Sequence, residues 1–244
     1  MTADYSKLAE DYDAHRIGYS LELYSMATDY GIPMQGKILD VACGTGLASE
    51  PFAKEGARVT GIDSSQEMLK YAEARILNGE FKVGNAETLP FGDKTFDAAI
   101  CAQAIHWLDR DKAINEMIRV TKPGGIIAIW WKSLMHDDPV KLISQEVATT
   151  WEADSPETAM SGFLEFYRAP LADHTLRVVP WRLAVSLDRF IGYERSRKNL
   201  RDALGKKADQ YFEQLAARLR EVYGPGNPVI SLGYLQFLYL GKTL

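Results

Sequence analysis

The 244-residue sequence predicts a doubly wound α/β fold, in which a mainly parallel seven-stranded sheet carries helices on both faces and a helical cap. Two observations predict it. Short apolar runs alternate along the chain with segments of helical period, which is the pattern of parallel strands joined by crossover helices. A turn containing Gly44 and Gly46 directly follows the first apolar run, and glycines at a strand-to-helix turn let the backbone approach a ligand closely.

The first half of the chain shows this alternation best. Three helices are predicted, in LASEPFAKEG, SSQEMLKYAEARIL and DRDKAINEMIRVT, and the last of them places Ile114, Met117 and Ile118 on one face. The segment KPGG is predicted as a turn before the final apolar run. Five strands are therefore predicted, in KILDVAC, RVTGID, FKVGNA, FDAAICAQ and IIAIWW.

The second half of the chain is less regular. Two helical segments are predicted between Ser133 and about Asp173, the second of them carrying Phe163, Phe166 and Tyr167. The run TLRVVPWRLAVSL predicts a strand broken near Pro180, because proline removes a hydrogen-bond donor from a sheet. GYERSRKNLRDAL predicts the start of a helix, and an amphipathic helix and a last strand follow, in YFEQLAARLREV and VISLGYLQFLYLGKTL. The direction of the last strand in the sheet stays open.

No repeat or low-complexity linker divides the chain, so we expect one Rossmann-like domain over residues 1–244. Within it, residues 1–36 are predicted as an N-terminal helical lid and residues 37–132 as the core that binds a cofactor. Residues 133–173 are predicted as a helical cap insertion, and residues 174–244 as the strands and helices that complete the sheet.

Composition and charge narrow the function. The chain has 28 basic and 33 acidic residues, for a net charge of −5, so no overall positive field attracts a nucleic acid backbone. No apolar run approaches the roughly 20 residues of a membrane span, and the start of the sequence lacks the form of a signal peptide. Cys43 and Cys101 lie in apolar runs, as expected for a reducing compartment. These features predict a cytoplasmic protein without nucleic acid or membrane partners; the oligomeric state stays open.

The glycine turn carries chemical information of its own. Asp63 lies 19 residues after Gly44, at the end of the next predicted strand, where a carboxylate meets a ribose in dinucleotide-binding folds. A dinucleotide therefore fits this spacing. However, the third glycine position of that fingerprint is Ser49, and Asp40 precedes the loop, where its negative charge would repel a pyrophosphate. A ligand with a cationic group fits better.

Four ordered segments resemble the class I S-adenosylmethionine-dependent methyltransferases: LDVACGTGLASEPFA, VTGIDSSQEMLKYAEAR, GNAETLPFGDKTFDAAICAQAIHWLD and EMIRVTKPGGIIAI. The resemblance runs from about Lys37 to Trp131. It implies S-adenosylmethionine as cofactor and no metal, with Asp40 near the ammonium group and Asp63 on the ribose hydroxyls. The implied cofactor-binding set is Asp40, Ala42, Gly44, Thr45, Gly46, Asp63, Ser64, Met68, Asn85, Ala86, Glu87 and Gln103.

One position departs from the family pattern. An acid usually follows the third strand and meets the adenine amino group, whereas this chain has Asn85. An asparagine oxygen still accepts a hydrogen bond. Met68 either covers the adenine face or fills a gap in the core; both interpretations stay open.

The segment CAQAIHWLD directs Gln103, His106 and Trp107 toward the crevice at the carboxyl ends of the strands. Methyl transfer from a sulfonium is an in-line displacement, which an enzyme promotes by aligning the nucleophile. His106 is therefore a candidate catalytic base for a hydroxyl or amine acceptor. A structural role, ordering the loop through a hydrogen bond, is the preferred interpretation.

The form IHWLD also resembles the small-molecule methyltransferases that include the trans-aconitate methyltransferases. Tyr5 and Tyr12 share a helical face near the start of the chain, and Arg16 and Tyr19 follow. This group suits a lid that holds a small anionic substrate, or a helix that docks by its aromatic face. The candidate substrate-binding residues are Tyr12, Arg16, Tyr19, His106, Trp107, Arg195 and Arg197; for the last two, a solvated basic surface is the alternative.

Three functions are therefore compared. The first is a methyltransferase for a small metabolite, acting at the oxygen of a carboxylic acid or at another acceptor atom. The second is an NAD(P)-dependent oxidoreductase with a similar glycine turn, and the third is a non-catalytic cofactor-binding subunit. The sequence favours the first, and it leaves the metabolite and the acceptor atom open.

Overall fold

A computed structural model describes residues 9–151 and 168–244. The strands are β1 (Lys37–Val41), β2 (Arg58–Asp63), β3 (Glu80–Val83), β4 (Phe96–Ala102), β5 (Thr121–Leu134), β6 (Leu171–Ser186) and β7 (Val229–Thr243). The helices are α1 (Ala9–His15), α2 (Leu21–Tyr30), α3 (Glu50–Lys54), α4 (Gln66–Arg75), α5 (Arg110–Val120), α6 (Pro139–Thr150), α7 (Leu187–Arg195), α8 (Lys198–Leu204) and α9 (Ala208–Tyr223). Of the helices in these two ranges, none is both long and apolar enough to cross a bilayer.

The strands form one seven-stranded sheet in the order β3-β2-β1-β4-β5-β7-β6. Strands β1 to β5 run parallel to one another, whereas β7 runs antiparallel to both β5 and β6. The predicted doubly wound, mainly parallel sheet is confirmed. The direction of the last strand, which the sequence left open, is antiparallel, and this strand lies inside the sheet rather than at its edge.

Burial explains why the central strands are continuous apolar runs. Residues 126–131 of β5 are all buried, because helices cover both faces of the sheet. On one face Met117 and Val120 of α5 pack into the core with Ile127 and Ile129. On the opposite face α2 and α3 pack against Ile126 and neighbouring residues. The sheet therefore holds the carboxyl ends of β1, β2 and β4 rigidly at one edge.

The predicted break at Pro180 is wrong. Strand β6 continues through Pro180, which pairs with Leu235 of β7. Among the described strands β6 contacts only β7, and an edge strand tolerates a proline because one side of it needs no donors. The irregularity lies instead between Ala172 and Thr175, where Asp173 has a left-handed φ of 52°.

Two further predictions concern the second half of the chain. The helix predicted to start in GYERSRKNLRDAL begins earlier, at Leu187, where the Ser186 hydroxyl accepts the N–H of Arg189; a second helix starts at Lys198. The first predicted segment of the cap is helix α6. The second, with Phe163, Phe166 and Tyr167, lies outside the described residues, as does Tyr5.

Candidate functional site

The loop between β1 and α3 has an unusual backbone. Ala42, Gly44 and Gly46 all have left-handed φ angles, of 55°, 54° and 73°. A Cβ atom added at Gly44 would meet nothing within 4 Å, whereas one at Gly46 would lie 3.3 Å from Cβ of Ala72 in α4. Gly44 therefore borders open space, and Gly46 allows the loop to pack closely on the next helix.

Asp63 connects this loop to the following turn. One carboxylate oxygen accepts the N–H of Gly44 at 2.8 Å, and the other accepts the N–H of Ser65 at 2.9 Å. Burial raises the pKa of Asp63, and the backbone donors partly oppose this rise. Helix α4 is capped by Ser65, whose hydroxyl accepts the N–H of Met68, so Asp63 is not the residue that caps it.

Two buried polar side chains at this loop have no hydrogen-bond partner among the described residues: the carboxylate of Asp40 and the hydroxyl of Thr45. Burial raises the pKa of Asp40 to about 7, and the nearby Ser49 hydroxyl donates to the Gly46 carbonyl at 3.4 Å rather than to this carboxylate. An unpaired buried carboxylate is stabilised by a nearby cation. The loop therefore fits a ligand that brings a positive group.

A cavity of about 650 Å³ opens beside the loop. The predicted cofactor residues that line it are Ala42, Gly44, Thr45, Asp63, Ser64, Met68 and Gln103, and the predicted substrate residues are Tyr12, Arg16, Tyr19, His106, Trp107 and Arg197. Most of the residues selected from the sequence thus come together around one space.

Some predicted cofactor residues do not line this cavity. Asp40 lies behind the loop, fully buried. Gly46 uses its N–H and its carbonyl inside the loop, with Cys43 and Glu50. Its role in this structure is therefore to shape the loop rather than to line the cavity.

The segment after β3 also lies apart from the cavity. Asn85 is exposed, and its side-chain oxygen accepts the N–H of Glu87 at 2.8 Å. Glu87 in turn accepts the N–H of Asp109 at 2.9 Å, and Ala86 is buried in the core below β4 and α5. Contact of these three residues with a cofactor stays a prediction.

Gln103 shapes the turn after β4. It has a left-handed φ of 55°, its N–H donates to the Trp130 carbonyl at 2.8 Å, and its side-chain oxygen accepts the N–H of Lys132. A single turn of 3₁₀ helix follows at Ile105–Trp107. Burial and the nearby Arg110 lower the pKa of His106 to about 4. At neutral pH the His106 imidazole is therefore uncharged, and it is a weaker base than a catalytic histidine with a pKa near 7.

The N-terminal segment closes one side of the cavity. The guanidinium of Arg16 lies 4.3 Å from the ring centre of Tyr12 and 5.0 Å from that of Tyr193, and it donates to the Ser196 carbonyl at 3.2 Å. Tyr19 packs edge-on against Trp130, with ring centres 5.8 Å apart. Arg16 and Tyr19, both predicted as residues of the lid, therefore line the cavity.

One arginine ties this segment to the glycine loop. Arg75 donates from Nε to the Thr45 carbonyl at 2.9 Å, and its two terminal nitrogens pair with Glu50 at 3.1 Å and with Asp13 of α1 at 2.5 Å. Helix α1 is thus held next to the loop by a residue that also supports the loop.

The two predicted arginines beside Ser196 have different positions. Arg197 lines the cavity and pairs with the buried carboxylate of Glu194 at 2.9 Å. Arg195 does not line it: it pairs with Asp209 at 3.2 Å and lies over the Phe212 ring. Arg195 ends α7 whereas Arg197 precedes α8, so the turn between the helices directs them apart. Contact of Arg195 with a substrate stays a prediction that this cavity does not support.

Sequence reasoning missed several residues of the cavity wall. Lys132 is buried, and its ammonium donates to the carbonyls of Ile17 and, at 2.6 Å, of Gly18. Burial and the charge of Arg16 lower its pKa well below the usual range. The only sequence signal for it is a lysine placed directly after the apolar run IIAIWW. Glu194, Tyr193, Trp130 and Tyr234 were also missed; the sequence offers no local signal for the last two.

Comparison with known proteins finds relatives for the part of the chain that contains the glycine loop and Asp63. Residues 39–129 match the methyltransferase domain family. Over 94 residues, 38% of this chain and 37% of the relative, the sequence is 44% identical to the demethylmenaquinone methyltransferase of Paenarthrobacter aurescens. Over 93 residues, again 38% and 37% of the two chains, it is 38% identical to the malonyl-[acyl-carrier protein] O-methyltransferase of Pectobacterium atrosepticum. The chain thus matches less than half the length of these two relatives.

A solved structure extends the similarity of fold beyond this region. A protein from Anaeromyxobacter dehalogenans described as a type II methyltransferase superposes with a TM-score of 0.74 at 24% identity. The superposition covers 93% of this chain and 97% of the other. The fold of the second half therefore also has a counterpart among known structures.

Proposed function

Since this chain carries a class I S-adenosylmethionine-dependent methyltransferase domain, we propose that it transfers a methyl group to a small anionic metabolite, at a carboxylate oxygen. One observation carries the choice of an anion. Besides the buried Lys132, the bases Arg16, Arg110, Lys141 and Arg197 line the cavity, against two acids, Asp63 and Glu194, among the described lining residues. In a chain of net charge −5, this local excess of positive charge attracts an anionic ligand.

The residues at the other end fit the cofactor, which supplies an electrophilic methyl group on a sulfonium. The unpaired carboxylate of Asp40 suits its ammonium group, and Asp63 at the cavity edge suits its ribose hydroxyls. The open space beside Gly44 leaves room for its methionine part. The family match also favours methyl transfer over hydride transfer, the second function compared above.

A carboxylate acceptor makes few chemical demands on the protein. Methyl transfer from a bound sulfonium to a carboxylate oxygen would form one carbon–oxygen bond, break one carbon–sulfur bond and require no proton transfer. The residues of this chain then contribute by holding the anion through Arg16, by aligning the two ligands and by excluding water with the aromatic wall. The neutral His106, with its pKa of about 4, is compatible with a reaction that needs no strong base.

Two more features support the proposal. One relative is an O-methyltransferase that acts on a malonyl group, which favours an oxygen acceptor here. In addition, Tyr12, Arg16, Ile17 and Tyr19 line the cavity, and we propose that residues 1–36 act as a lid within a single domain, with residues 133–173 contributing to the cap.

Calorimetry and a turnover screen test the proposed function. S-adenosylmethionine and S-adenosylhomocysteine are expected to bind, whereas NAD is expected not to bind, because the glycine loop offers Asp40 rather than a basic residue to a pyrophosphate. Methyl-labelled cofactor is then offered with carboxylic acids, phenols and amines. Saturable NAD binding without a response to either sulfur ligand would refute the assignment, and binding without turnover would indicate a non-catalytic subunit.

The pKa of Asp40 gives a pH-dependent prediction. Between about pH 4 and pH 7 the folded protein without cofactor holds a proton on Asp40, and a cationic ligand group favours its release. Affinity for S-adenosylhomocysteine, which keeps the ammonium group, is therefore expected to rise as the pH increases toward about 7 and then to level off. Calorimetry at pH 6 in buffers of different ionisation enthalpy should detect proton release. The control is Asp40→Asn, which should bind more weakly and without this pH dependence.

A further inference from the structure

Two residues that line the cavity carry buried donors without a hydrogen-bond partner among the described residues: Tyr234 its hydroxyl and Trp130 its indole N–H. Their side chains are almost completely buried, at 1% and 0% exposure. A buried polar group without a partner is costly, so native structures rarely retain one that has no use. Neither of these two polar groups takes part in the steps assigned above.

The sheet register places the two side chains on one face. Trp130 of β5 lies opposite Leu238 of β7, and Tyr234 lies opposite Leu134. Because side chains alternate along a strand, residues 130, 132 and 134 share a face with residues 234 and 238. The ammonium of Lys132, between them along β5, lies 5.5 Å from the Tyr234 ring centre. The two donors therefore lie on either side of Lys132, on the face of the sheet that borders the cavity.

The Tyr234 hydroxyl and the Trp130 indole N–H are both uncharged hydrogen-bond donors. An indole N–H only donates. Burial raises the pKa of Tyr234 well above its ordinary value, so the hydroxyl stays protonated at neutral pH. The nearby cations already have acceptors: Lys132 donates to the Ile17 and Gly18 carbonyls, and Arg197 pairs with Glu194. A neutral ligand oxygen, rather than a further charge, suits the two remaining donors.

We propose that Tyr234 and Trp130 determine acceptor specificity by donating hydrogen bonds to a neutral oxygen of the acceptor, distinct from its methylated carboxylate. The inference rests on the proposed function and deepens it: the preferred acceptor is a hydroxy or oxo acid rather than a simple one. A site that hydrogen-bonds such an oxygen discriminates against the analogue that lacks it, because the donors are then left unpaired.

The test compares acids that differ by one oxygen. Wild-type protein and Tyr234→Phe are assayed with pentanoate against 4-oxopentanoate, with benzoate against 3-hydroxybenzoate, and with benzylamine against 3-hydroxybenzylamine. For an acid pair, the wild-type protein is expected to prefer the oxygen-bearing member by about 10-fold or more in kcat/KM. Tyr234→Phe should reduce that preference to about 3-fold or less, chiefly by lowering kcat/KM for the oxygen-bearing acid.

A stability measurement separates this role from a structural one. The matched control is Tyr24→Phe, since the Tyr24 hydroxyl donates to the Ala48 carbonyl at 3.1 Å and its ring also packs near Trp130. Removing that bond is expected to lower Tm by about 2–4 °C. Tyr234→Phe removes a hydroxyl without such a partner, so its Tm should equal or exceed that of wild type.

The outcomes separate the two levels of the proposal. Wild-type protein that turns over no probe overturns the proposed function and this inference with it. Turnover of acids with the same preference in Tyr234→Phe overturns the inference alone, as does a fall in Tm equal to that of Tyr24→Phe. In a third outcome only the amines are methylated, and Tyr234→Phe loses the preference for 3-hydroxybenzylamine over benzylamine. This outcome supports the donor role of Tyr234 but refutes the carboxylate as the methylated group.

Discussion

Replacing Arg16 with alanine is expected to lower kcat/KM for an acid acceptor by roughly 30-fold or more, equivalent to about 2 kcal/mol, while cofactor affinity stays nearly unchanged. The guanidinium faces the end of the cavity assigned to the acceptor, stacked on Tyr12 and Tyr193. Its loss removes the charge-assisted hydrogen bonds to the carboxylate and leaves that anion beside aromatic rings. Steady-state kinetics with the best acid from the screen measures the effect.

Two variants control this experiment. Arg16→Lys should recover only part of the loss, because lysine keeps the charge but lacks the planar fork. Arg218→Ala removes an exposed arginine that pairs with Glu146 and Glu221, and it should leave activity unchanged. Assays at low and near-physiological salt separate long-range attraction from direct pairing. Equal activity of wild type and Arg16→Ala would exclude Arg16 from the site, and preferential methylation of a neutral amine or phenol would refute the carboxylate acceptor.

Replacing Asp63 with alanine is expected to weaken binding of S-adenosylhomocysteine by about 1–3 kcal/mol. The variant loses the acceptor proposed for the ribose hydroxyls, and it also loses the two backbone hydrogen bonds that connect Gly44 to Ser65. Asp63→Asn keeps an acceptor oxygen and should lose less. Calorimetry gives the affinities, and circular dichroism confirms that each variant is folded.

Asp97 provides the matched control for Asp63. It accepts the N–H of Lys37 at 2.7 Å and pairs with Lys122 at 2.6 Å, but it lies at the opposite ends of the strands. Asp97→Ala should therefore reduce stability without changing cofactor affinity. If a folded Asp63→Ala variant binds S-adenosylhomocysteine as tightly as wild type, the ribose contact is refuted.

The cofactor end of the site was predictable because its information is local. Gly44, Asp63 and Met68 lie within 25 residues of one another, and each follows directly from the end of a strand or the start of a helix. Parallel strands with short turns bring their carboxyl ends to one edge, so the order of the segments alone predicts the neighbourhood. Gly44 and Gly46 mark the turn after β1, because glycine readily adopts left-handed φ angles.

The acceptor end was not predictable in the same way. Lys132 and Tyr234 come together because β7 inserts antiparallel beside β5, and the sequence left the direction of that strand open. The separation of Arg195 from Arg197 depends on a turn between two helices, where a shift of one residue redirects a side chain. The break predicted at Pro180 considers only that proline lacks a backbone N–H. Whether this lack interrupts a strand depends on whether the strand has hydrogen-bonded neighbours on both sides.

The position of β7 also has a consequence for the order in which the molecule assembles. Strand β6 precedes β7 in the chain, yet β7 is the only described strand that it contacts. Until β7 docks on β5, β6 has no sheet to join, and loop-closure entropy opposes such distant pairings more than the neighbouring ones of β1, β2 and β3. The pairing of β7 with β5, which places Tyr234 beside Lys132, is therefore expected to follow the pairing of β1, β2 and β3.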